Sequence, residues 1–139
     1  MNIRHCLLQT LLLTLAACGG TADPEAQKAE QIQQLLDSMK TALDDVRKLA
    51  TLGPCSSTDQ CAVLRFKSGR NDCDRPLPID YSLGSTTAKP AQDAAANYDR
   101  YRIELDTLSP PPEIYGSCFI NILPLVLKCV ASSCVRTLS

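Results

Sequence analysis

Cysteine is the side chain in which this sequence is richest for chemistry, with eight in 139 residues, at positions 6, 18, 55, 61, 73, 118, 129 and 134. A thiol can be acylated, ligate a metal, attack an electrophile or pair with another thiol, and the compartment decides among these. The first seventeen residues bear on the compartment. Arg4 precedes an apolar run from Leu7 to Leu15, broken only by Gln9, Thr10 and Thr14, and the small residues Ala16 and Ala17 follow. That order is the mark of a secretory signal with a cleavage point. An uncleaved membrane anchor is the competing reading, but the apolar core of about nine residues falls short of the roughly 20 a spanning helix needs.

A cysteine stands directly after those small residues, and Leu15-Ala16-Ala17-Cys18 resembles the lipobox of bacterial lipoproteins. An ordinary cleaved signal is the alternative. The resemblance implies that diacylglycerol is attached to Cys18, that the chain is cut before it, and that a further acyl chain such as palmitate caps the new terminus. Each buried CH₂ contributes about 0.8 kcal/mol, so several chains hold to a membrane stably where one binds reversibly. Gly19 is not the aspartate that resembles an inner-membrane retention signal in enteric bacteria, so the expected place is the outer membrane, facing the periplasm or the surface. The expected organisation is a signal over 1–17, a tether over 18–22 and one domain over 23–139.

With Cys6 in the signal and Cys18 acylated, Cys55, Cys61, Cys73, Cys118, Cys129 and Cys134 remain. An even number in a small exported domain reads as a disulfide framework of three bridges, each contributing about 2–5 kcal/mol. Spacing does not choose the pairing. Three of the six flank the first two expected strands and three the last, so at least one bridge must join the groups. A Cys₄ zinc site is the competing reading, weakened by the lack of any C-x-x-C spacing. No metal and no cofactor is expected.

The only histidine, His5, leaves with the signal. That removes the commonest general base and any Ser-His or Cys-His nucleophile pair. Ser-Lys and paired-carboxylate mechanisms survive the loss. Asp44 and Asp45 adjoin on the first expected helix and read as solvated charge, while Asp72 and Asp74 flank Cys73 in turn chemistry. Arg65, Lys67, Arg70 and Arg75 form a modest basic patch. No glycine-rich phosphate loop, HExxH or GxSxG element occurs in the sequence. Without Arg4 the 14 Lys and Arg fall to 13, against 15 Asp and Glu. That balance gives no electrostatic reason to expect nucleic acid. There is no Trp, so stacking platforms for bases or sugars are scarce.

The elements that must position these residues follow from pattern. Asp23-Pro24-Glu25 is a helix start, and Ile32, Leu35, Met39, Ala42, Val46 and Leu49 repeat at 3-4-3-4-3. Leu36, Leu43 and Ala50 widen that stripe into a core-packing face, with a coiled-coil seam as the alternative. Gly53 and Pro54 end the helix, Gly53 as the usual C′ glycine. Residues 61–67 suit a short strand, and Ile79 to Leu83 alternate as an edge strand. Pro90 opens a second helix, with Ala91, Ala94, Tyr98, Tyr101, Leu105 and Leu108 on one face. Ser109 and three prolines stop it, forming a rigid connector or a stiff contact segment. Residues 117–123 and 125–130 read as strands. A two-residue turn at Ala131 and Ser132 sets Val130 against Ser133 and Cys129 against Cys134. At that non-hydrogen-bonded site a bridge within the hairpin and pairing elsewhere are both open.

The order Cys55-x5-Cys61, Cys73 with Pro76, Tyr81-Ser82, a Tyr-bearing helix and Cys129-x4-Cys134 is similar to a group of small cysteine-rich bacterial lipoproteins. Where those read C-G-G-P this chain has Cys73-Asp74-Arg75-Pro76. The resemblance implies a compartment and a cysteine framework. The expected fold is α+β, two amphipathic helices packed on a small antiparallel sheet and stapled by disulfides. The expected function is a membrane-anchored, non-enzymatic binding or structural module for a protein or cell-wall partner. A small envelope enzyme relying on carboxylates is the alternative.

Overall fold

In the computed structural model, residues 23–67, 75–110 and 125–138 are described. The class is α+β: among these residues there are two helices and two small antiparallel sheets, joined by two disulfides. Helix α1 spans Pro24–Thr51, about 42 Å of rise. Its start follows the sequence signal, with the Asp23 side chain accepting a hydrogen bond from the Glu25 amide at 3.0 Å and Pro24 in the first turn. Helix α2 spans Ala88–Leu108 and begins two residues before Pro90. The proline is tolerated there because first-turn amides have no helical partner in any case. Ser85 shapes this entry, its Oγ accepting from the Thr87 amide at 3.0 Å and its carbonyl accepting from Ala88.

Gly53 meets Ser85 at one end of the helix pair, while Asp37 and Ser38 share a groove with Tyr101 further along. The helices therefore run antiparallel. Gly53 serves this contact and not the left-handed C′ cap expected of it. A Cβ there would lie 2.5 Å from the Cβ and Oγ of Ser85, and the helix closes instead on Leu52 in a right-handed conformation.

The helices meet through small residues. Met39, Ala42, Val46 and Ala50 of α1 are buried with Ala88, Ala91, Ala95 and Tyr98 of α2. Leu43, Leu49, Ala94, Tyr101 and Leu105 pack around them. Both stripes thus bury, but their outer members do not: Ile32, Leu35 and Leu108 are half-buried, and Leu36 is exposed.

Strands β1 (Cys61–Leu64) and β2 (Ile79–Ser82) pair antiparallel, Ala62 against Tyr81 and Leu64 against Ile79. These four side chains join or pack on the helix core. Phe66, just past β1, adds an edge-to-face contact with Tyr98 at 5.0 Å. The strand is shorter than the sequence suggests: pairing with β2 stops at Leu64 against Ile79, and further on the Lys67 amide goes to the Asp99 carboxylate of α2 at 3.0 and 3.1 Å.

Strands β3 (Leu125–Val130) and β4 (Ser133–Leu138) form the second hairpin. Its register is the one the two-residue turn demands, Val130 against Ser133 and Cys129 against Cys134. Ala131 and Ser132 hold φ of 48° and 62°, as a two-residue hairpin with right-handed twist requires. Where one sheet is expected, the described residues form two two-stranded sheets, β1–β2 and β3–β4. The expected strand at 117–123 lies outside the described residues, as do the signal, Cys18, Cys73 and Cys118.

Candidate functional site

Two features stand out for function: the sulfur-rich junction between the hairpins, and a groove beside β1. The junction is set by strand periodicity. Directly opposed residues of an antiparallel pair share a face, so Cys61 and Ser82 lie on the side of β1–β2 away from the helices, with Val63 and Asp80. From the C-terminal hairpin, Cys129, Cys134, Leu127 and Arg136 share one face in the same way. Cys61 bonds to Cys134, with Cα atoms 5.5 Å apart. Cys55, in the loop after α1, bonds to Cys129 at 5.9 Å. Both separations suit an unstrained bridge.

The alternative left open at Cys129 and Cys134 is thereby decided. They oppose each other across β3–β4, yet each pairs outside the hairpin. Both bridges join the first cysteine group to the second. The two disulfides also pack together, the sulfurs of Cys55, Cys61 and Cys134 lying within 4.8 Å of one another.

Polar bonds reinforce this seam. Arg136 Nε donates to both Asp80 oxygens at 2.8 and 3.0 Å, and its Nη2 donates to the Pro78 carbonyl. Both side chains are half-buried, which makes the pair stronger than a fully exposed surface bridge and costly to break. The Cys55 amide donates to the Ser132 carbonyl at 3.0 Å, and the Cys129 amide to Thr58 Oγ1 at 3.3 Å. Ser82 Oγ, next to Cys61 on this face, is buried and among the described residues has no hydrogen-bond partner.

The groove lies between β1 and the flank of α2, with a volume of about 660 Å³ and an open mouth. Leu64, Ala95 and Ala96 line it, together with Ile103, which is 61% exposed. Arg65, Lys67 and Arg100 stand at its rim with Asp99 and Glu104. Asp99 is engaged by the Lys67 amide, and Glu104 sits 3.6 Å from Arg100 Nη1. A smaller groove of about 310 Å³ between the helices holds Asp37, Asp45 and Tyr101.

No family model matches this chain, and neither a curated protein nor a solved structure matches it.

Asp44, expected as solvated charge, is exposed on α1. A hydrogen bond from Lys40 Nζ at 3.0 Å, and the charges of Lys40 and Arg47, hold its carboxyl below the ordinary range. Its neighbour Asp45 faces the smaller groove. Burial pushes the Tyr98 hydroxyl above its usual range, against the pull of Arg102. Of the expected basic patch, Arg65 and Lys67 come together at the β1 groove. Asp72, Asp74 and Arg70 lie outside the described residues. No described helix is long and apolar enough to cross a membrane.

Sequence reasoning missed Arg136, Asp80, Asp99 and Ile103. Arg136 carried a usable signal. It lies two residues from Cys134, hence on the cysteine-bearing face, and a charge on such a face needs a partner.

Proposed function

We propose that this chain is a lipid-anchored envelope lipoprotein, cleaved before Cys18 and acylated there, whose domain binds a protein or cell-wall partner without catalysing a reaction. The observation that carries the reading is the pair of bridges Cys55–Cys129 and Cys61–Cys134, which supports an oxidising compartment outside the cytoplasm. The signal-like order of residues 1–17 and Leu15-Ala16-Ala17-Cys18 support the same compartment and add the anchor. Residues 18–22 are then a tether of at most about 17 Å when extended, so α1 starts close to the bilayer. The shared core of Ala62, Leu64, Ile79 and Tyr81 with the helices supports a layered arrangement in which both helices lie on one face of β1–β2.

Binding is favoured over catalysis by how three of the described carboxylates are used. Asp80, Asp99 and Asp44 are each held in a structural bond, and both grooves are open to water. Mass spectrometry of the purified protein tests the anchor: a diacylated or triacylated Cys18 terminus is expected, and an intact Met1 or a non-acylated start elsewhere contradicts it. Recovery of a specific partner from native envelopes with the acylated protein tests the binding role.

A further inference from the structure

We infer that the groove between β1 and α2 is a strand-addition site for an extended, acidic peptide segment of a partner protein. This deepens the binding role proposed above and rests on it.

The hydrogen-bonding geometry comes first. The Leu83 amide donates to the Gln60 carbonyl at 2.7 Å, so residues 60 and 83 form a hydrogen-bonded pair of the antiparallel ladder. The pattern alternates, which turns Ala62 and Leu64 toward β2 and turns the main-chain groups of Val63 and Arg65 away from it. Among the described residues β1 pairs with β2 alone, so this outward edge presents donors and acceptors in strand geometry. The Lys67 amide continues the same edge and is capped by Asp99. A carboxylate already fills the place that the carbonyl of an added strand would take, and the cap marks one end of the available edge.

The walls then choose the peptide. Leu64 and Ala95 are buried at the floor, whereas Ile103 is 61% exposed on the α2 side. An added strand points alternate side chains toward such a wall, and an apolar side chain there would cover Ile103. At the rim, Arg65 and Lys67 are exposed and, among the described residues, neither forms an ion pair. Arg65, Lys67 and Arg100 outnumber Asp99 and Glu104 there, so the rim is locally basic in a chain with an acidic excess. Cationic side chains on an open edge repel basic strands and discourage indiscriminate pairing, so they select an acidic one. Main-chain bonds supply affinity and the charges supply choice, as in strand-addition recognition generally.

The test uses the oxidised chain from Cys18 onward and a random peptide library displayed against it, followed by affinity measurements on the enriched peptides made synthetically. Enriched peptides are expected to alternate apolar with acidic residues. Their affinity should fall at least tenfold in the double variant R65E/K67E, and similarly when the peptide's alternate amides are N-methylated. On binding, the Val63 and Arg65 amides should become protected from exchange. Should R65E/K67E fail to fold, Ile103→Asp at the exposed wall gives the same reading. No enrichment, enrichment of basic peptides, or binding that leaves these amides and variants unaffected overturns the site. If R65E/K67E still recovers a partner from envelopes, the binding role stands and only this groove is excluded.

Discussion

The helix unit and the C-terminal hairpin are held by different physics. In the first, eleven buried residues from α1, α2, β1, β2 and Phe66 form one apolar cluster. In the second, no residue of β3 or β4 belongs to that cluster, and Leu125, Val126, Val130 and Leu138 are exposed. Among the described residues, what fastens the hairpin is covalent and polar: two disulfides, the Arg136–Asp80 pair and two bonds to the 55–60 loop. A two-stranded hairpin is marginal by itself in water, so this attachment has to be supplied from outside. The comparison teaches where cross-links matter. They secure the element that cannot bury enough surface to secure itself.

The bridges do not contribute equally in sequence of formation. Either closes a loop of about 74 residues, worth about 4 kcal/mol in chain-entropy terms. Once one exists, the other closes a ring made only of the 55–61 and 129–134 segments, worth about 3 kcal/mol.

The sharpest way to break the comparison is from the apolar side. Phe66→Ala removes a buried ring packed on Tyr98 and should cost about 3–5 kcal/mol in denaturant unfolding of the oxidised protein. The hairpin's polar clamp comes next. Arg136→Ala leaves the half-buried Asp80 without its partner and should cost about 2–4 kcal/mol, somewhat less than a fully buried pair. Its signature is accelerated exchange of β3 and β4 amides with α1 and α2 unchanged. An effect spread evenly over the chain would contradict the division into two regions.

Gly53→Ala sharpens the helix side. The new Cβ would collide with Ser85, and overpacking of this kind costs about 1–3 kcal/mol, read as a lower midpoint of thermal unfolding. The smallest effect is a gain. Ser132 holds a positive φ, strain of about 1–2 kcal/mol for a side-chain-bearing residue. Ser132→Gly should therefore stabilise the hairpin by about 1 kcal/mol, visible as slower exchange in β3 and β4 alone.

Much of this was legible wherever a local rule suffices. Asp23-Pro24-Glu25 located the start of α1, and a two-residue turn fixed the register of β3 and β4 to the residue. The rest required contacts between distant segments. Cys129 and Cys134 face each other, so spacing suited a hairpin bridge as well as pairing elsewhere, and only the position of β1 under the hairpin decides. Gly53 looked like a cap because it follows a helix, whereas its role comes from Ser85, thirty-two residues on. Period-two patterns identify strands but not their lateral neighbours, and so two sheets were read as one. At the groove, Arg65 and Lys67 were legible as charge. Asp99 and Ile103 were not, because an α2 flank beside a strand edge exists only in the folded chain.

The most direct test of the division is amide hydrogen exchange on the same protein before and after gentle reduction. Reduction should abolish protection across β3 and β4, while Val46, Ala91 and Ala95 in the helix core keep theirs. Simultaneous loss of protection in α1, α2 and both hairpins would show that the disulfides hold the whole fold together, and would contradict the account.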